Sequence, residues 1–241
     1  MDTKSLEDAI RNSGHIVCLL GRHVAADCGC LDYRLVDTAY AIETKYGYSP
    51  EEIFSASFYN TRMKTFFDFY HNEILSKLGE PDACIHALKK MEDDGKLFSV
   101  VTRSVYGIPG RAGMRHVLEL HGSVYQNRCP HCHTEYDVEF MKNADGIPLC
   151  TKCGQPVRPQ ITLAGEMIRN QLVTDAANEI SQADTLLVLG CTMDSMLAQG
   201  CIKYFDGNRI ILINEEENYS DNIADMIYHV KPRDILPNVY R

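Results

Sequence analysis

The chain has 241 residues, of which 45% are hydrophobic and 24% are charged. These proportions are typical of a globular protein and exclude a disordered chain, a coiled coil or a collagen. The net charge of −9 comes from 33 acidic and 24 basic residues. It provides no basic stripe that could neutralise phosphates, so we expect no nucleic-acid partner.

The beginning of the sequence places acidic residues before a short apolar run, where a secretory signal would have basic residues and a longer apolar stretch. No apolar run approaches the roughly 18 residues that a membrane-spanning helix needs. Four of the ten cysteines have zinc-ligand spacing, and others, such as Cys18 and Cys84, lie in apolar surroundings. We therefore expect a cytoplasmic protein in a reducing compartment, without a membrane partner.

Helical segments alternate with short, fully apolar runs along the chain. Residues 4–13 predict an amphipathic helix, which is followed by an apolar run that ends at Gly21. Similar runs occur at 97–102, 185–190 and 209–214. Since alternating helices and buried strands form parallel sheets, the predicted fold class is α/β, a Rossmann-like doubly wound parallel sheet.

Two segments interrupt this alternation. Residues 35–80 are rich in Tyr and Phe at helical spacing, which favours a helical module with its aromatic side chains inside over an exposed aromatic binding surface. Residues 125–157 contain two cysteine pairs and several turn-forming residues. We predict a Rossmann-like domain from 1–34, 81–124 and 158–241, and a small domain from the 35–80 module and the 125–157 segment.

The cysteine pairs have the spacing of a four-cysteine zinc ribbon. Cys129 and Cys132 are separated by two residues, as are Cys150 and Cys153, with 17 residues between the pairs. Each tight turn directs two sulfurs at one ion, and four closed ligands leave no position for a reactive water. The spacing predicts a structural zinc ion. The neighbouring histidines, at 131 and 133, are alternative ligands.

Several segments together resemble the sirtuin family: KLFSVVT, LELHGSVYQNRCPHC, GIPLCTKCGQPVRP, ISQADTLLVLG and IILINEE. Their order and spacing agree with that family over nearly the whole chain. The resemblance implies a Rossmann-type domain with a small module of zinc ribbon and helices, and a cleft that binds NAD and an acyl-lysine peptide. It also implies that His121 is the general base that activates the ribose hydroxyl after nicotinamide leaves.

The resemblance also implies a set of cofactor-binding positions. Gly21 is retained from the family's first phosphate loop, whereas Arg22 and His23 replace small residues of that loop. The bulk of these two side chains would alter how the cofactor binds, while their charge still favours an anion. The other predicted cofactor-binding positions, some of which keep the family's residue while others differ from it, are Asp32, Arg34, Arg103, Ser104, Gly190, Thr192, Asn214 and Glu215.

The largest departure follows the second apolar run. Where sirtuins have Thr-Gln-Asn-Ile-Asp, this chain has Thr-Arg103-Ser104-Val-Tyr106. In the family the Asn orients the ribose and the Asp holds the nicotinamide carboxamide. Serine is shorter than asparagine, and tyrosine has no carboxylate to accept the amide hydrogen bond. Ala164 also replaces a phenylalanine that walls the family's acyl-lysine tunnel, which would enlarge the tunnel or leave it badly formed.

Three functional hypotheses follow. The first is an NAD-dependent protein deacylase, which transfers an acyl group from lysine to ADP-ribose. It would have an altered cofactor pose or acyl preference and weak ordinary deacetylase activity. The second is a non-catalytic protein that binds a nucleotide, ADP-ribose or another anion, with Arg22, His23 and Arg103 as anion contacts. The third is an additional metal site or redox pair formed by His23, Cys28 and Cys30.

Overall fold

The computed structural model describes residues 3–240. Its strands are β1 (Ile16–Leu20), β2 (Leu97–Thr102), β3 (Val117–Glu119), β4 (Gly122–Arg128), β5 (Glu135–Tyr136), β6 (Arg158–Ile161), β7 (Thr185–Leu189), β8 (Arg209–Ile213) and β9 (Met226–Tyr228). The α-helices are α1 (Thr3–Asn12), α2 (Arg22–Asp27), α3 (Val36–Tyr46), α4 (Pro50–Ile53), α5 (Ala56–Thr61), α6 (Met63–Phe69), α7 (Ala83–Asp93), α8 (Ile108–Arg111), α9 (Val138–Lys142), α10 (Asn170–Gln182), α11 (Met196–Ile202) and α12 (Pro232–Val239).

Six strands form one parallel sheet in the order β3-β2-β1-β7-β8-β9. From β1, successive strands are added outward on one side as β2 and β3, and from β7 they are added on the other side as β8 and β9. The order of addition therefore switches sides between the neighbouring strands β1 and β7. In open parallel sheets, ligands bind beyond the carboxyl ends of the strands at such a switch point. The topology thus places the candidate site at the ends of β1 and β7.

Helices cover both faces of this sheet, which confirms the predicted doubly wound α/β class. The side chains of β1 alternate between two cores: Ile16, Cys18 and Leu20 belong to one, while Val17 and Leu19 belong to the other. Helices α1, α7 and α12 pack together, as do α10 and α11. Burial on both faces explains why these strands are continuous apolar runs in the sequence.

The 35–80 segment contains α3 to α6 and a π-helical turn, Tyr70–Leu75. The predicted inward packing is confirmed, because Phe66, Phe67, Phe69 and Tyr70 are fully buried. Phe66 and Phe67 meet edge to face with ring centroids 5.4 Å apart. These aromatic side chains therefore form a core and are not available as a binding surface.

A second sheet has the order β5-β4-β6 and is antiparallel. Its central strand β4 leads directly into the first cysteine pair, and β6 follows the second pair. The sheet thus connects the cysteine region to the larger sheet. The division of the chain into two domains with the boundaries given above remains a prediction.

None of the helices within residues 3–240 has the length and apolar character needed to cross a bilayer.

Candidate active site and metal centre

The four cysteines of the predicted zinc site meet in space. Their Sγ atoms all lie within 4.8 Å of one another. The Cys129 to Cys153 and Cys132 to Cys150 sulfur distances are both 3.4 Å. A tetrahedral zinc ion with Zn–S bonds of about 2.3 Å would place its sulfurs roughly 3.8 Å apart, so the cluster fits the ion with a small outward adjustment.

Local backbone hydrogen bonds shape both cysteine turns. The amide of Cys129 donates to the Thr134 carbonyl at 2.9 Å, and the amide of Cys150 donates to the Gln155 carbonyl at 2.8 Å. The Tyr136 hydroxyl donates to Sγ of Cys150 at 3.1 Å. Groups of this kind orient metal ligands and hold them in place. The ribbon is therefore built to hold a structural ion with four sulfurs.

The alternative metal ligands are not part of such a cluster. Within residues 3–240, only one group of three or more His, Cys, Asp or Glu side chains lies close enough together to share an ion, and it consists of the four cysteines. The histidines at 131 and 133 do not belong to this group. Nor does a second group form around His23, Cys28 and Cys30. Burial also raises the pKa of both Cys28 and Cys30 to about 12, which opposes thiolate formation. The second-metal hypothesis is wrong for the described residues.

Two glycines bring the ends of β1 and β7 into direct backbone contact. A Cβ on Gly21 would lie 2.3 Å from the carbonyl oxygen of Gly190. Gly190 has φ of +63°, and a Cβ there would lie 2.6 Å from Cγ2 of Val24. The Gly21 amide donates to the Leu189 carbonyl at 2.8 Å. Only glycine permits this approach at the switch point, where both residues were predicted to contact a cofactor.

The bulky residues after Gly21 make contacts within the protein. The Arg22 guanidinium pairs with the buried carboxylate of Asp32. A second oxygen of Asp32 accepts the backbone amide of Arg34 at 3.1 Å. Asp32 thus fixes the loop between α2 and α3, and the charge of Arg22 is already balanced by a carboxylate.

His23 is joined to the end of β8. Its Nδ1 lies 3.1 Å from Oδ1 of Asn214. Asn214 is fully buried, and its Nδ2 donates to the Glu216 carbonyl at 2.8 Å. Because the Asn214 oxygen can only accept, the Nδ1 of His23 donates in this pair. Both polar atoms of the Asn214 side chain therefore already have protein partners.

The other predicted nucleotide residues surround the same edge of the sheet. Thr192 is hydrogen-bonded through its hydroxyl to Asp194, which in turn accepts from Nδ2 of Asn218 at 3.3 Å. Glu215 forms an ion pair with Lys231 at 3.5 Å. Asp194, Asn218 and Lys231 were not identified from the sequence, because no motif or spacing distinguishes them.

The predicted general base lies against an arginine. His121 follows β3 and Arg103 follows β2, so the pairing of these strands places the two residues side by side. Nε of Arg103 donates to Nε2 of His121 at 2.7 Å. A guanidinium only donates, so His121 must be neutral, with its proton on Nδ1, an atom that is buried without a partner among the described residues.

The surroundings oppose protonation of His121. Burial, the nearby Arg103 charge and the Arg34 charge lower its pKa to about 4. Burial and Arg34 also lower the pKa of Arg103. The backbone carbonyl of His121 accepts from the Thr162 amide at 2.8 Å, which connects the site to the end of β6.

Tyr106 stands where the family's carboxamide-binding aspartate is expected. Its side chain is only 5% exposed, and its hydroxyl donates to the Leu31 carbonyl at 3.1 Å. The backbone amide of Ser104 makes a local contact, because it donates to the hydroxyl of Thr102 at 3.1 Å. Neither residue offers a carboxylate to this part of the cleft.

Glu119 is a partly buried acid near His121 that no sequence motif singled out. It lies opposite Thr102 at the end of β3, two residues before His121. Burial raises the pKa of its carboxyl to about 7. The available signal was a single acid inside an otherwise apolar strand beside the histidine motif.

Comparison with known proteins agrees with this arrangement. The model of the Sir2 family matches residues 21–196. An NAD-dependent protein deacetylase of Clostridium perfringens is 36% identical over 230 residues, covering 94% of each chain. A protein of the same name from Clostridium acetobutylicum is 34% identical over 223 residues, covering 92% of this chain and 91% of the relative.

Solved structures give the same result. One described as "Sir2-p53 peptide-NAD+" superimposes with a TM-score of 0.83 at 26% identity, covering 99% of this chain and 97% of that one. A second, described as "The Structural basis of Sirtuin Substrate Affinity", has a TM-score of 0.86 at 26% identity, with 99% and 98% covered. The chain belongs to the Sir2, or sirtuin, family, as the sequence motifs predicted.

Proposed function

We propose that the protein binds NAD or ADP-ribose at the switch point of its parallel sheet, next to an acylated protein or peptide, and removes ordinary acetyl groups only slowly. The hydrogen bond from Arg103 to His121 is the observation on which this proposal rests. The family, the relatives named NAD-dependent protein deacetylases and the bare glycine contact between β1 and β7 support the nucleotide part.

Slow deacetylation is expected from the hydrogen bonding and the lowered pKa of His121. A general base needs a free lone pair and a pKa near the working pH, and such a base typically contributes about 10²- to 10⁴-fold in rate. Here the lone pair on Nε2 is engaged by Arg103, and burial together with two guanidinium charges lowers the pKa to about 4. A ribose hydroxyl would have to displace Arg103 before His121 could accept its proton.

If bound, NAD would supply the ribosyl bond that is cleaved, and the chain's own residues would orient it. Gly21 and Gly190 would allow the phosphates to approach the backbone, while Asn214 and Glu215 would lie toward the ribose. The zinc ion would hold the ribbon in place and take no part in the reaction, because all four of its positions would be filled by sulfur.

Binding without turnover is the second candidate. It is favoured by Tyr106, whose buried ring and hydroxyl occupy the family's carboxamide-acceptor position without providing a carboxylate. In this case ADP-ribose, which has no nicotinamide, would bind at least as tightly as NAD.

Calorimetric titration with NAD and ADP-ribose, combined with the rate at which an acetylated peptide is deacetylated in the presence of NAD, tests the proposal. We expect both nucleotides to bind and deacetylation to be slow. Arg103→Gln, which frees the His121 lone pair, should accelerate deacetylation by about tenfold or more. The control is Arg11→Gln, an exposed change in α1. Failure of both nucleotides to bind would reject the proposal, whereas binding of ADP-ribose without any deacetylation supports the second candidate.

A further inference from the structure

A groove of about 790 Å³ runs between the antiparallel sheet and the start of α10. We call it the sheet groove, because β4 and β6 supply much of its lining. Leu120 and Gly122, the two sequence neighbours of His121, also line it, whereas His121 and the predicted cofactor positions do not. The sheet groove is therefore separate from the candidate active site.

The charged side chains of the sheet groove are mostly basic. Arg128, Arg158 and Arg169 line it together with one acid, Glu135, although the chain as a whole has a net charge of −9. Glu166 balances the charge of Arg158, at a distance of 2.6 Å. Arg128 and Arg169 are exposed, and within residues 3–240 neither side chain makes a hydrogen bond or an ion pair. The groove thus offers two unpaired guanidinium groups to an anionic ligand.

The first turn of α10 adds positive potential to the same groove. Arg169 is the N-cap residue of this helix and Leu172 is its third residue, and both line the groove. The Arg169 side chain makes no capping hydrogen bond, and the first turn contains no acid. The positive end of a 13-residue helix is therefore not offset by a carboxylate of its own first turn.

Asn127 contributes a buried acceptor that has no donor. Its side chain lines the groove and is only 2% exposed, and its Nδ2 donates to the Val124 carbonyl at 3.0 Å. Its Oδ1 is buried and accepts no hydrogen bond from the residues that the structure describes. The register of β4 against β6 shifts just before Asn127, and its β6 partner is Pro159, which has no N–H to donate. Because an unsatisfied buried acceptor is destabilising, a ligand that brings an N–H would be favoured here.

We propose that the sheet groove binds an acidic segment of a partner protein. Carboxylates of that segment pair with Arg128 and Arg169, and one of its backbone N–H groups donates to Oδ1 of Asn127. A peptide supplies both kinds of group, whereas a phosphate supplies an anion without the amide donor. This binding does not require a nucleotide in the cleft, so it can be measured independently of the proposed function.

Fluorescence polarisation with the full zinc-loaded chain measures the binding. The probes are labelled peptides of one sequence that contain a run of six glutamates, six glutamines or six lysines. We expect the glutamate peptide to bind about fivefold or more tightly than the glutamine peptide, as two exposed charge pairs allow. Its affinity should fall as salt is added, and the lysine peptide should not bind.

Variants assign the binding to the groove. Arg128→Gln and Arg169→Gln should each weaken binding of the glutamate peptide by about two- to fivefold. Arg11→Gln, an exposed change in α1, is the matched control and should leave the affinity unchanged. Glu135→Gln should strengthen binding, because it removes the acid that lies opposite Arg128 in the pairing of β4 with β5.

NMR chemical shifts locate the bound peptide. We expect the backbone amides of Gln126 and Asn127 to shift during titration with the glutamate peptide, and the amide of Gly190, at the end of β7, to stay in place. Shifts at Gly190 without shifts in β4 would put the peptide in the nucleotide cleft and reject the proposal.

Three binding results would also overturn it. The first is a glutamate peptide that binds no more tightly than the glutamine peptide. The second is equal affinity of the wild type, Arg128→Gln and Arg169→Gln for the glutamate peptide. The third is equally tight binding of a uridine hexanucleotide, which would make the groove a general polyanion surface with no preference for a peptide.

Discussion

The Nε2 lone pair of His121 accepts a 2.7 Å hydrogen bond from Nε of Arg103, so the imidazole is neutral and carries its proton on Nδ1. A second guanidinium, that of Arg34, acts in the same direction, because its charge also lowers the pKa of His121. The two residues come together because each follows one of two neighbouring parallel strands.

Removing the arginine should therefore change the titration of His121. In Arg103→Gln, we expect the pKa of His121 to rise from about 4 toward 6.5, by about one unit or more, since one charge is lost while burial remains. NMR titration of the imidazole resonances measures this shift. Arg11→Gln is the control and should leave the titration unchanged. An unaltered pKa in Arg103→Gln would show that the Arg103 charge does not contribute to lowering it.

Glu119 should make stability depend on pH. Burial raises its pKa from 4.5 to about 7, so the folded state binds more protons than the unfolded state between these values. Its stabilising contribution is present below 4.5 and is lost as pH rises through 7. At pH 8, Glu119→Gln should raise Tm by about 2–4 °C, the shift expected for roughly 1 kcal/mol in a chain of this size.

This gain should shrink as the pH is lowered toward 4.5. Thermal melts at pH 5 and pH 8 check the prediction, with the exposed Glu43→Gln in α3 as the matched control. An equal change in Tm at both pH values for Glu119→Gln would mean that the carboxyl does not titrate as proposed.

The apolar strands of the fold were predictable because they are buried on both faces. The sequence runs at 97–102, 185–190 and 209–214 correspond to β2, β7 and β8 within one residue. In contrast, β3 and β9 have three residues each, and those of β3 are only partly buried, so neither stands out as an apolar run. The pairing of β4 with β6 spans the whole cysteine segment and has no local signal.

The metal centre was predictable from the sequence because its geometry is local. The cleft was predictable only in part, because its contacts depend on how distant strands pair. The spacing of Cys129 and Cys132 is itself the local geometry that directs two sulfurs at one ion. The contact between Arg103 and His121 depends on the pairing of β2 with the unpredicted β3. The sequence identified both residues through a resemblance, but not the hydrogen bond that joins them.

The meeting of β1 and β7 at two glycines should be sensitive to a single methyl group. In Gly21→Ala the new Cβ would lie 2.3 Å from the Gly190 carbonyl and 2.4 Å from Cβ of Cys191. Relief of such overlap typically costs about 1–3 kcal/mol of stability. Urea unfolding measures the loss.

Gly200→Ala is the matched control, because it lies in α11 with no atom within 4 Å of the added Cβ. This variant should be unchanged or gain up to about 1 kcal/mol from the higher helix propensity of alanine. If both variants unfold at the same urea concentration, the backbones at Gly21 and Gly190 do not approach each other as closely as described.

The cysteine cluster should hold one zinc ion per chain. Cys150→Ser removes one of its four ligands, and we expect loss of the metal and a fall in Tm of about 10 °C, corresponding to roughly 3 kcal/mol or more. Elemental analysis of protein purified without chelator measures the content. Cys84→Ala, a buried change in α7 outside the cluster, should lower stability but keep the zinc. Well-folded wild type with less than about half a zinc per chain would contradict the site.

The rate at which the wild-type protein forms deacetylated peptide, with saturating NAD and an acetyl-lysine peptide, tests the central claim most directly. Enzymes turn over at about 10 s⁻¹ at the median, and an impaired general base removes about a hundredfold or more. We therefore predict deacetylation below about 0.1 s⁻¹ and an increase in Arg103→Gln. Deacetylation by the wild type at about 1 s⁻¹ or faster, with no increase in that variant, would contradict the account.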